Sequence, residues 1–253
     1  MREDLIMTKR LGFTLAEVLI TLGIIGVVAA MTIPVIIDKY QEQATITKFK
    51  KAYKTIQDAL AMAQIEEDTL DNWDYSKDPN NLVNNENFVD KYLIKHFNII
   101  KNCKTRKNEG CWQKEKPLLL NEKSYWPYGS YDGDSSYKIL TNDGFAYEFG
   151  YVQNCVQNSK FCISFVVNLA PQAKKQVFGR NIFIFDAYPG MNQVFPRGIY
   201  NHDSSKSIAQ RRDSNGNWLK VSKTERDKWC NKNGNGPDWC AGKIVVEGYK
   251  INY

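Results

Sequence analysis

Val18 to Ile37 is a run of twenty residues without a charge. At 1.5 Å per residue, such a run in helical form is about 30 Å long, the thickness of a bilayer core. The pattern then changes from wholly apolar to periodic. Ile46, Phe49, Tyr53, Ile56, Leu60 and Ala63 recur at alternating intervals of three and four, with Lys, Gln and Asp between them. That is one apolar stripe on an otherwise polar helix. A single helix from Phe13 to Glu66 follows, apolar all round in its first half and one-faced in its second. Residues 68–86 are rich in Asn and Asp, lack any period and read as a loop. A short helix near Asn87–Asn98 carries Phe88, Leu93 and Phe97, and Lys101 to Tyr137 reads as loop again.

Strand signals come next. Tyr137–Thr141 and Phe145–Val152 flank Asn142-Asp143-Gly144, a tight-hairpin signature. Cys162–Leu169, Asn181–Tyr188 and Ile244–Tyr253 are further β-rich runs. Ser222 and Glu225 have capping-box spacing and open a short helix reaching Asn231. The expected class is α+β, a long N-terminal helix followed by an antiparallel sheet.

Composition sharpens this picture in two places. The net charge of +6 is diffuse, with no basic stripe, so no specific nucleic-acid partner is expected. Six cysteines fall as three close pairs, Cys103/Cys111, Cys155/Cys162 and Cys230/Cys240. Zinc knuckles want two to four residues between ligands, and the chain has only His96 and His202 to help. The pairs favour disulfides over zinc, at about 2–3 kcal/mol for each short loop, in an oxidising compartment. Cys103 and Cys111 would then staple the loop that follows Lys101. Lys9 and Arg10 ahead of the apolar run place the N-terminus in the cytoplasm and the remainder outside. That is where disulfides persist.

Glu17 remains to be explained. A carboxylate within hydrocarbon costs about 2.5–3.5 kcal/mol at a helix centre, and a plain membrane anchor has no use for one. An ordinary secretory signal would have a shorter apolar core followed by a small-residue cleavage site. The stretch K-R-L-G-F-T-L-A-E-V-L-I-T-L (residues 9–22) instead resembles the N-terminal signal of type IV pilins and type II secretion pseudopilins. The resemblance covers residues 9 to about 40. It implies a leader, residues 1–12, removed after Gly12 by prepilin peptidase, and N-methylation of the new first residue, Phe13. Glu17 becomes the fifth residue of the mature chain and the acceptor for a neighbouring subunit's N-terminal amine. Gly26 and Pro34 would bracket a stretch of helix that melts on assembly, although glycine and proline are also tolerated in membrane helices for packing alone.

The resemblance also implies a domain plan. Residues 13–37 form the membrane and assembly half of the helix, 38–66 its amphipathic half and 67–253 the head. The Cys230/Cys240 pair is similar to the disulfide-bounded loop of many pilins. Expected partners are other pilin subunits, prepilin peptidase, the inner-membrane assembly machinery and the lipid bilayer. The chain would sit in the inner membrane, then in a filament outside it. A pseudopilin, or a membrane-anchored adhesin that never polymerises, are the alternative readings.

Other chemistry is weakly signalled. Asp132, Asp134 and Asp213 could supply oxygens to calcium, yet no EF-hand spacing is present and turns share that composition. His96 and His202 lack any nucleophile motif, so both read as surface residues and no enzyme or cofactor is expected. Trp126, Tyr128, Tyr131, Trp218 and Trp239 read as cover for the sheet sooner than as a binding face.

Overall fold

The structure is a computed structural model describing residues 12–105, 110–112, 116–124, 136–158, 161–200, 213–234 and 236–253. Helix α1, Leu15–Glu67, is continuous over 53 residues with Pro34 inside it. Two compact units divide the chain, 1–44 and 45–253. In the first, the apolar side chains of the helix are exposed on every face. In the second, Ile46, Phe49, Ala52, Ile56, Ala59, Leu60 and Ala63 are buried, so the one-sided stripe has a core to face.

That core lies against a six-stranded antiparallel sheet whose strands follow one another in chain order. They are β1 Ile99–Lys104, β2 Tyr137–Thr141, β3 Ala146–Tyr151, β4 Ile163–Asn168, β5 Ile182–Ala187 and β6 Val194–Pro196. Phe183 and Phe185 of β5 meet Phe49 of α1 at ring distances of 5.0 and 5.3 Å. The alternate residues Ile182 and Ile184 pack on the opposite face with Trp112, Leu119 and Phe178. Both faces of β5 are therefore covered, which explains an apolar run without alternation. The predicted hairpin is present, with Tyr147 opposite Ile139 and Gly144 at φ +81° in the turn.

Four sequence expectations need correction. Helix α2 is Leu82–Tyr92, five residues earlier than expected. The Asn81 side chain accepts from the Val83 and Asn84 amides and caps it. Its buried residues, Asn85, Phe88, Val89 and Tyr92, then repeat at helical spacing. Strand β1 lies where a loop was expected. It is outermost, exposed over Ile100 to Asn102, and pairs with β2 through two register irregularities, so it lacks alternation.

The third correction concerns Cys103 and Cys111. They are bonded as expected, but Cys103 belongs to β1, so the bond is not a staple within a loop. It ties Cys111, which is buried, back to the outermost strand of the sheet. Last, the β-rich run Ile244–Tyr253 is not a strand. Cys240–Val246 is helical, and Gly248 and Tyr249 at φ +73° and +62° stop it. Tertiary packing overrides the strand preference of Ile244 and Val245; Ile244 is fully buried. The helices after α2 are α3 Cys155–Asn158, α4 Lys223–Trp229 and α5 Cys240–Val246. Ser222 caps α4 by accepting from the Glu225 amide, as its spacing predicted.

All three cysteine pairs are disulfides: Cys103–Cys111, Cys155–Cys162 and Cys230–Cys240, with Cα–Cα distances of 6.1, 5.0 and 5.0 Å. Cys230–Cys240 ties the end of α4 to the start of α5. The segment is docked by a buried ionic knot. Arg197 donates through Nε and Nη2 to the two carboxylate oxygens of Asp186, both at 2.7 Å, and through Nη2 to Ser164 Oγ at 3.1 Å. Its Nη1 lies 3.6 Å from Asp238 Oδ2. Beside it, the Gly242 amide donates to the Arg197 carbonyl at 2.7 Å. A Cβ on Gly242 would come within 2.5 Å of the Gly198 backbone, so only glycine permits that approach.

Burial pushes the Asp238 carboxyl up to about 6, with Arg197 opposing the shift and Asp186 adding to it. Between its ordinary value of 3.8 and about 6, the folded chain holds a proton that the unfolded chain has lost. The group therefore costs stability above pH 6 and is relieved as the pH falls toward 4, by about 3 kcal/mol in full. Asp238→Asn is expected to remove this pH dependence. Thermal unfolding at pH 4 to 7 checks it: the difference between wild type and variant should change across that window, and a constant difference would refute the assignment.

Candidate functional site

The N-terminal signal is built on the first turn of α1. Residues 12–14 are outside the helix, and Phe13 is 88% exposed. The Thr14 carbonyl accepts from the Val18 amide at 3.2 Å, which makes Thr14 the N-cap. The Thr14 amide and hydroxyl donate to Glu17 Oε2 at 2.8 and 2.9 Å, and the Glu17 amide donates back to Thr14 Oγ1 at 3.2 Å. Thr14 and Glu17 thus form a reciprocal capping box. The T-x-x-E spacing carries this in the sequence, and the membrane reading of Glu17 passed over it. Glu17 therefore has partners within a single chain. The carboxylate is held at the helix start, on the amide and hydroxyl of Thr14.

From Val18 to Ile37 nothing but apolar, glycine, threonine and proline side chains lines the helix, and none is buried. Thr21 and Thr32 return their hydroxyls to the carbonyls of Val18 and Val28 at 3.0 and 2.9 Å. Such back-bonding keeps a hydroxyl satisfied where no water is present. Pro34 has no amide to give the Ala30 carbonyl, and Gly26 has open space where a Cβ would be. The stretch 26–34 is helical throughout. By length and composition this helix is long and apolar enough to cross a membrane.

The head offers less catalytic chemistry. Cys103, Cys111, Cys155, Cys162, Cys230 and Cys240 are all taken up in disulfides, so no thiol is left as a nucleophile or metal ligand. The Asp213 carboxylate accepts from the amides of Asn215 and Asn217, both at 2.9 Å, and from Asn217 Nδ2 at 3.2 Å. The backbone amide of Asn217 and its side chain hold the carboxyl below the usual range, as a self-satisfied turn requires. No group of three His, Cys, Asp or Glu side chains suited to a metal occurs among the described residues. Trp218 and Trp239 are buried. His96 corrects the surface reading: its side chain is only 6% exposed, with Nε2 3.8 Å from Glu66 Oε2. Lys9, Arg10, Trp126, Tyr128, Tyr131, Asp132, Asp134 and His202 lie outside the described residues.

Comparison with known proteins agrees with the N-terminal geometry. Residues 7–33 match the prokaryotic N-terminal methylation motif, the signal of type IV pilins and pseudopilins. No curated protein and no solved structure matches the chain. The fold is α+β and pilin-like, a long apolar N-terminal helix with a six-stranded antiparallel sheet and three disulfides. Residues 35–253 match as one piece, and by that match the chain belongs to a family of unknown function, DUF6613.

Proposed function

We propose that the chain is the precursor of a subunit of a type IV pilus-like filament. It is inserted in the inner membrane with its N-terminus in the cytoplasm, cut after Gly12, methylated on Phe13 and polymerised through its N-terminal helix. The observation that carries this reading is the placement of Glu17. It is five residues beyond Gly12, on the first turn of a helix that is then charge-free for twenty residues.

Cleavage frees an ammonium on Phe13. Within a bilayer, that charge and a neighbouring subunit's Glu17 each lower the other's burial penalty. The capping box orients the carboxylate toward the helix start and engages Oε2, leaving Oε1 without a hydrogen bond among the described residues. A free N-terminus of another subunit can therefore bind without displacing Thr14. The 12–14 segment is exposed and outside the helix, which leaves it accessible to a peptidase. The head is assigned no catalytic task in this reading; it is what the filament displays.

Mass spectrometry of the protein isolated from its native membranes tests the precursor reading. The expected species begins at methylated Phe13. An intact leader, or a different first residue, would refute it.

A further inference from the structure

Unit 45–253 holds an open cavity of about 400 Å³ among α1, β6, α4 and α5. Tyr53, Phe195, Tyr200 and Val245 form its walls, and Arg226 and Lys220 are its cations. A bridge between the backbones of Tyr200 and Lys220 places those two residues side by side. Arg226 is 8% exposed. Its Nη1 donates to the Val221 carbonyl, a neutral acceptor. No carboxylate among the described residues comes within ion-pairing distance of its guanidinium.

The nearby acids are committed elsewhere. Asp227 pairs with Lys223 and Lys243, and Glu247 pairs with Lys243 at 2.8 Å and accepts from Asn252. With Glu225, they attract Arg226 only at longer range, and burial is the dominant influence on it, lowering its pKa. Arginine does not shed its proton in proteins. A buried cation thus faces a cavity without a counter-ion among the described residues, a costly arrangement that a bound anion relieves.

We propose that this cavity binds a small organic carboxylate, its head paired with Arg226 and its flat apolar body against the aromatic and aliphatic walls. The guanidinium fork matches a carboxylate in two-point geometry. A single negative charge fits better than a phosphate dianion, because Asp227, Glu247 and Glu225 already set negative charge around Arg226 at longer range. The volume is within the range of small-molecule sites. This site is independent of polymerisation, so it stands or falls apart from the filament reading.

The test is calorimetric titration of the full chain in lipid nanodiscs, with empty nanodiscs as the blank. The probes are benzoate, 3-phenylpropionate and indole-3-acetate, with 3-phenylpropanamide as the neutral control. At least one carboxylate should bind saturably at one site, with the amide at least ten-fold weaker. Arg226→Gln should weaken binding at least ten-fold. Lys220 is exposed and makes no ion pair among the described residues. Lys220→Glu should therefore leave the unfolding midpoint unchanged, supply an internal carboxylate at the mouth and weaken binding by a similar factor. That second variant decides the matter even if the first fails to fold. Absence of saturable binding by all three carboxylates, equal affinity for the amide, or unchanged binding by Lys220→Glu would each overturn the proposal.

Discussion

Glu17→Gln is expected to abolish filament formation while leaving the leader normally removed. The glutamine is the informative variant. Alanine removes two things together: the charge that receives a neighbour's ammonium and the acceptor that closes the Thr14 capping box. Without that acceptor the Thr14 amide and hydroxyl lose their partner, which loosens the first turn beside the cleavage site. Glutamine keeps an oxygen for the Thr14 amide and hydroxyl, so the helix start survives and only the charge is lost. Electron microscopy of sheared surface fractions reads assembly, and the gel mobility of the mature chain reads cleavage. Glu17→Ala should fail to assemble too. Normal filaments from Glu17→Gln would show that capping, and not charge pairing, is what the residue is for.

The second large effect is expected in the head. Arg197→Met should destabilise the fold by about 3–5 kcal/mol, the range for removing one partner from a buried pair. Asp186 has no exposed side-chain surface and sits on β5, between two other strands. Without Arg197 its carboxylate loses both 2.7 Å hydrogen bonds and has no route to water. Asp238, already burdened by burial, loses its cation as well. The unfolding midpoint of a domain this size should fall by roughly 10 °C. The double variant Asp186→Leu, Arg197→Met removes charge and counter-charge together and should regain much of the loss. A double variant no better than the single one would mean that Arg197 acts through its packing over Phe161.

The chain declared its features unevenly. The N-terminal signal, the apolar stripe of α1, the Asn-Asp-Gly hairpin and the cysteine pairs were readable because each is local, with cause and consequence within a few residues. What the pairs fasten was less readable. Cys103 and Cys111 are close enough in sequence to find each other, yet nothing in that spacing says that one of them is in a strand. β5 was readable because burial on both faces leaves an unbroken apolar run. The strands at the two ends of the sheet were not. β1 shows solvent most of its residues, and β6 is three residues long; neither carries a period. The helix Cys240–Val246 was misread because its sequence prefers a strand, while the Cys230–Cys240 bond and the close approach at Gly242 hold it otherwise. The Arg226 cavity could not have been read at all. Tyr53 and Val245 line it from opposite ends of the chain, and the loneliness of a buried arginine becomes visible only once its neighbours have been given other partners.

The margins of the sheet have a consequence for a chain proposed to polymerise through one helix. Every other adhesive surface on such a subunit is a hazard, above all a strand with unpaired amides and carbonyls, which templates strand addition by a second copy. Here both margins are blunted. β1 is broken by two irregularities and carries Lys101 and Lys104. β6 ends in a proline, and the carbonyls just beyond it, of Arg197 and Ile199, are taken by the amides of Gly242 and Val221. Heads crowded together in a membrane can therefore touch without zippering, and growth is left to the N-terminal helix.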